Sequence, residues 1–150
     1  GLVKTLDFSI YLGLLSEPYN KAHKTDLERT DSVEFDMVVV NLYPFVQTVS
    51  KPGADIVDAR SNIDIGGPSM LRASAKYYIR VTPVFDPADY KTILRELEIQ
   101  GGSLSLTTRF ALAAKAFEHT AEYDAAIASY FKQQNENTLN NYYLFGGNEA

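Results

Sequence analysis

Hydrophobic and polar positions alternate between two periods along this chain, and the switches between them mark its elements. Asp36-Met37-Val38-Val39-Val40-Asn41-Leu42-Tyr43 is a short, β-branched apolar run that follows a charged stretch and stops at Pro44. Such a run predicts a strand buried on both faces, as in parallel sheets. Its polar end then falls where open α/β sheets place their ligands. A second run, Ile79 to Phe85, is interrupted by Pro83 and predicts either an edge strand or a split one. Asp86-Pro87 reads as a cap with proline at the first helical position, leading a helix to about Gln100 that ends at Gly101-Gly102. The next helix starts behind Ser103 as its cap. Leu106, Phe110, Ala113, Phe117 and Ala121 recur every three or four residues towards Phe131 and predict its core face. From Lys132 to Asn141 the chain turns to glutamine, asparagine and glutamate, which predicts a solvated linker before the aromatic tail Tyr142-Tyr143-Leu144-Phe145. There are no internal repeats. Strands alternating with helices predict an α/β fold.

Composition narrows the function more than the fold. At 150 residues, 45% of them hydrophobic, the chain can bury one core and not comfortably two. Fourteen basic against nineteen acidic side chains leave a net charge of −5, the wrong balance for a nucleic-acid wrapper. Any anionic ligand must be met by a few local cations. With no cysteine, thiol nucleophiles, zinc-thiolate sites and disulfides are excluded. No apolar run approaches the roughly 18 residues of a membrane span, and the first residues lack a basic-then-apolar leader. A cytoplasmic location is the expectation, with neither membrane nor nucleic acid as partner. Gly1-Leu2-Val3-Lys4 opens without a methionine and reads as the middle of a longer domain.

The most informative segment runs from Asn62 through Asp64, Ile65, Gly66, Gly67 and Pro68 to Lys76. Paired glycines ahead of good helix formers describe a tight loop entering a helix whose first N–H groups can receive an anion or oxyanion. An ordinary turn has the same composition. Lys76 could point to solvent or back to the sheet. His23 and His119 are far apart in sequence and have no cysteine partners, so packing roles fit them better than metal ligation, and no metal is expected. Glu17, Asp26, Glu28, Asp31 and Glu34 read as a hydrated connection, without support for a paired-carboxylate site.

Three blocks in order, Val38 to Phe45, Asn62 to Lys76, and Thr108-Arg109-Phe110 with Lys115 to Asp124, resemble the cyclohydrolase half of the AICAR transformylase/IMP cyclohydrolase family. The resemblance spans roughly residues 1 to 131 as one domain, N-terminally incomplete, with 132 to 150 as linker and tail. It implies the C-terminal part of a methylglyoxal-synthase-like parallel sheet with flanking helices, a homodimer, and a reaction without cofactors. In that reaction the carboxamide nitrogen of a formylated aminoimidazole carboxamide ribonucleotide attacks the formyl carbon, and water leaves to give inosine monophosphate.

Such chemistry needs a proton acceptor, donors for a developing oxyanion and a rigid hold on two neighbouring groups. Carried over by motif, Lys4 and Thr5 contact the carboxamide, and Asn41 and Tyr43 stand beside the reacting atoms. Asp64 orients the formyl-bearing nitrogen, the amides of Ile65 and Gly66, with Gly67 beside them, form the oxyanion site, and Lys76 completes a proton relay with Tyr43. Arg109 and His119 take structural roles. The family pattern is broken where Leu2 stands for an arginine and Asp7-Phe8 for histidine-proline. The family's domain starts some sixty residues earlier, with phosphate-binding turns, and Leu144 to Asn148 resembles the beginning of its transformylase domain. Two other expectations compete: a non-catalytic relative that binds a nucleotide or dimerises, and a regulatory domain of the same fold, as on carbamoyl-phosphate synthetase.

Overall fold

A computed structural model describes residues 5–142. Lys4, Leu2 and the tail from Tyr143 on therefore lie outside the described residues. The chain divides into two compact units, one drawn from the residues up to Leu42 with Ile65–Thr120, the other from Tyr43–Asp64 with the chain from Ala121 on. Among the described residues no helix is long and apolar enough to cross a membrane.

The first unit is an α/β layer. Helix α1 (Phe8–Leu15) is started by Asp7, whose carboxylate accepts from the Ser9 amide at 2.9 Å. The departure from histidine-proline at this point thus supplies a cap. The bonds from Ser9 hold the Asp7 carboxyl below the ordinary carboxylate range. Helix α2 (Lys21–Arg29) is capped by Asn20 and carries Asp26 and Glu28, so part of the expected hydrated connection is helical. Strand β1 (Met37–Val39) pairs in parallel with β2 (Thr82–Val84), with Met37 opposite Thr82 and Val39 opposite Val84. The ladder uses the Thr82 N–H, donated to Asp36, and the Val84 carbonyl, which receives the Val40 N–H, both at 2.9 Å. Pro83 lies between them, so its missing donor falls on the edge away from β1, where a ladder tolerates it. Between the strands runs α5 (Gly66–Lys76). After β2, Asp86 caps a 3-10 turn (Pro87–Asp89) that continues into α6 (Tyr90–Ile99), and Gly101 and Gly102 end it at φ +64° and +90°. These are left-handed positions that glycine alone adopts without strain.

The expected strand and helix order is present, but burial differs in two places. β1 is not covered on both faces: Val39 is 56% exposed, and β2 is its only strand neighbour among the described residues. Helix α7 (Leu106–Lys132) turns inward only part of the face its spacing suggests: Ala113 is buried as expected, the other positions are not. Leu112, Ala113, Ala116 and Thr120 are buried, whereas Leu106 and Phe110 are more than half exposed and Phe117 is exposed as well. The alanine-lined side is the one that permits close approach, and Ala113 and Ala116 cluster with Ala75 of α5. Phe110 instead meets Tyr78 edge-on, ring centroids 5.0 Å apart, and the Arg72 guanidinium lies over Phe117. The cap is Ser105, not Ser103: its hydroxyl accepts from the Thr108 amide at 3.1 Å, while Glu96 accepts from the Ser105 amide and the Thr108 hydroxyl.

The second unit is helical. Pro44 leads α3 (Phe45–Val49), and α4 (Ile56–Ser61) begins with a reciprocal capping box between Asp55 and Asp58. The later turns of α7 bring Tyr123 and Tyr130 edge-on to the buried Phe45 ring, at 6.3 and 5.8 Å. Within the stretch expected as polar linker, Glu136–Tyr142 form an eighth helix, α8.

Candidate functional site

In the first unit the polar residues of interest collect at the carboxyl ends of the two strands and at the start of α5. Asn41 follows β1, and its side-chain amide donates to the carbonyl of Phe85, which follows β2. One side chain thereby ties the two strand ends together. Behind Phe85 the His119 ring stacks at 4.0 Å and 5°, and Lys115 reaches Asp86 at 2.7 Å and Asp89 at 2.8 Å. Lys115 holds the Asp86 carboxyl below its usual range, and the two carboxylates raise the Lys115 ammonium in return. This cluster pins the turn that positions the Phe85 carbonyl.

Helix α5 starts at Gly66 with Ile65 as its cap residue, and no side chain caps it there. Gly66 and Gly67 are buried, and a Cβ on Gly66 would fall inside contact distance of Thr5 Oγ1. The glycine is therefore required by close approach, and the structure brings Thr5 and Gly66 together. Lys76 sits exposed at the other end of the same helix. Ten residues separate it from Gly66, about 15 Å along the axis.

In the second unit, the Asp64 carboxylate accepts from the Tyr43 amide at 3.3 Å. The Tyr43 side chain is half exposed. The Asp64 amide in turn donates to the hydroxyl of Tyr123 at 2.9 Å, and that hydroxyl donates to the Asn62 carbonyl at 3.1 Å. Burial pushes the Tyr123 phenol up from its ordinary value, so it remains a neutral O–H donor. Sequence reasoning passed over Tyr123. The signal was present, because a tyrosine three residues beyond Thr120 continues the buried face, and a buried phenol needs a partner for its hydroxyl.

The remaining candidates have packing roles. His23 Nδ1 accepts from the Glu17 amide at 3.1 Å at the entry to α2. Arg109 donates to the carbonyls of Tyr78, Ile79 and Leu104, closing the chain that leaves α5.

Fold and residue placement together define an α/β protein of the parallel-sheet class, with polar groups gathered at the strand ends and at a glycine-led helix. Comparison with known proteins makes this particular. Residues 74–149 match the family described as the AICARFT/IMPCHase bienzyme. The bifunctional purine biosynthesis protein PurH of Limosilactobacillus reuteri is 49% identical over 134 residues, and that of Halalkalibacterium halodurans is 53% identical over 130. The aligned parts are 89% and 87% of this chain, so the chain spans about a quarter of the length of these relatives, 26% and 25%. A crystal structure of ForH superposes with a TM-score of 0.77 at 35% identity, covering 87% of this chain and 66% of that one. The chain belongs to the AICARFT/IMPCHase bienzyme family.

Proposed function

We propose that this chain carries the IMP cyclohydrolase site of its family. The observation that carries the reading is the match to the bifunctional relatives over nearly nine-tenths of the chain, through the segments that hold Asn41, Tyr43, Asp64, Gly66 and Lys76. Local geometry supports it: Asn41 at the strand ends, Asp64 anchored to the Tyr43 amide, and Thr5 against the glycine start of α5.

In this reading Asp64 orients the formyl-bearing nitrogen, and the carboxamide, steadied by Thr5 and Lys4, turns its nitrogen to the formyl carbon. Its attack makes a C–N bond and moves an electron pair onto the formyl oxygen. The amides of Ile65 and Gly66, with Gly67 beside them, meet that charge as fixed dipoles that need no reorganisation. Tyr43 and Lys76 carry the proton transfers, and loss of the former formyl oxygen as water completes the ring. Holding the two groups in one orientation replaces an encounter by a local step, the largest saving available to a ring closure. In this reading the chain is taken as a homodimer, and the relatives' role in purine biosynthesis favours a place in the cytoplasm.

The test uses the full-length polypeptide that carries this sequence. Product is followed by absorbance from the formylated ribonucleotide, and inosine and xanthosine monophosphates are titrated by calorimetry. Turnover together with heat is expected; the absence of both would refute the reading. Leu2, standing for an arginine that can grip an anion with two parallel bonds, favours a second reading in which the nucleotide is bound but not converted. Heat without turnover would select it.

A further inference from the structure

Between α4 and α5 the chain has no ladder and no helix to hold it. Asn62 still belongs to the end of α4, its amide donating to Asp58 and Ala59, and the Ile63 amide reaches Arg60 at 3.3 Å. Beyond that the backbone is met by a side chain from a distant part of the sequence. Tyr123, 8% exposed, sets its hydroxyl between the Asn62 carbonyl, to which it donates at 3.1 Å, and the Asp64 amide, from which it accepts at 2.9 Å. A hydroxyl has one proton and two lone pairs, and this one is used in both senses.

We propose that Tyr123 is a positioning residue for ring closure: its hydroxyl clamps the backbone on both sides of Ile63, and so fixes the carboxylate of Asp64 and the chain at Tyr43 that Asp64 holds. The inference rests on the assignment of Asp64 and Tyr43 to the reacting site. Packing does not require the hydroxyl, since a phenylalanine would keep the edge contact with Phe45. The hydroxyl makes both of these bonds to backbone, so its assigned role runs through the chain it holds. What it controls is the orientation of Asp64, and errors of about an ångström in a positioning group are expected to cost up to a hundredfold in rate.

Tyr123→Phe in the full-length polypeptide is the test. It removes both hydrogen bonds and keeps the ring, so the fold is expected to survive. The kcat should fall about ten- to a hundredfold with KM changed less than about threefold, since the group acts on orientation and not on uniform binding. In an Asp64→Asn background the same change should cost less than about threefold, because the route through Asp64 is already cut. Amide exchange at Asp64, read by NMR or mass spectrometry, should quicken at least about tenfold.

Each result bears on a different statement. A Tyr123→Phe enzyme with wild-type kcat would overturn the positioning role, and an undiminished loss in the Asp64→Asn background would overturn its route. Unchanged exchange at Asp64 would overturn the clamp itself, whether or not the protein is an enzyme. A wild-type protein with no ring closure would refute the proposed function, and with it the role in this reaction, while the exchange measurement would still decide whether the clamp exists.

Discussion

Replacing Arg80 by methionine should destabilise the first unit strongly. The guanidinium donates to the Phe35 carbonyl at 2.8 Å and to the Gly13 carbonyl at 2.7 Å, with Leu14 and Ser16 carbonyls at 3.4 Å. Gly13 and Leu14 belong to the last turn of α1, which has no basic residue of its own. Arg80 therefore serves as the cation at that helix terminus, from a position 67 residues away in sequence. At the same time it fixes Phe35, the chain that enters β1. Two short bonds to a charged donor contribute about 1.5–3 kcal/mol each. The Gly13 carbonyl also receives the Phe35 amide at 3.2 Å, so its loss is partly covered. The helix-terminus charge adds about 0.3–1 kcal/mol. The Asp36 pair at 3.8 Å adds little, because Asp36 is 90% exposed and its field is screened. Arg80→Met should therefore cost about 3–5 kcal/mol, a large part of a typical domain stability of about 5–15 kcal/mol. Arg80→Lys, which keeps the charge but not the planar fork, should lose about half of that. Urea unfolding followed by circular dichroism gives both values from the midpoint and slope. A methionine variant within about 1 kcal/mol of wild type, or a lysine variant equal to it, would refute the multi-carbonyl account.

Gly13→Ala should destabilise by about 2–3 kcal/mol despite alanine's better helix propensity, because the new Cβ would overlap the Val33 carbonyl oxygen and lie 2.8 Å from the Phe35 ring; a gain in melting temperature would contradict this. Glu96 is held below its ordinary value by the Thr108 hydroxyl and the Ser105 amide. A lowered folded-state value means stability that is present above the unfolded-state pKa and lost as pH falls through the folded one, so Glu96→Gln should flatten the decline in unfolding midpoint as pH falls below the ordinary carboxylate range. If Tyr43 and Lys76 form one relay, Tyr43→Phe and Lys76→Ala should each lower turnover by about two to four orders of magnitude, and the double change should be little worse. Independent, multiplying losses would remove the relay, and an unaffected Lys76→Ala would leave the proton transfers to other groups.

The strand positions, the helix after Asp86 and the glycine-led helix were legible because each depends on local rules: β-branched runs, proline at a first turn, and φ angles that only glycine tolerates. The family blocks made the candidate residues legible as well, since a motif preserves the order of residues even where no distance is known. The inward face of α7 was legible only at Ala113. Residues three or four apart define two adjoining stripes on a helix, one carrying Phe110 and Phe117 and one carrying Leu112 and Ala116, and hydrophobicity prefers the aromatic one. Packing chose the alanines, because Ala113 and Ala116 let α7 come close to Ala75, and that requirement belongs to the neighbouring helix and not to α7. The same holds for Arg80 and Tyr123. Each is an ordinary side chain in its own segment, and each acquires its role from backbone groups about 60 residues away in sequence. Local sequence determines which groups a segment can satisfy by itself. Only the tertiary structure decides which distant side chain satisfies the rest.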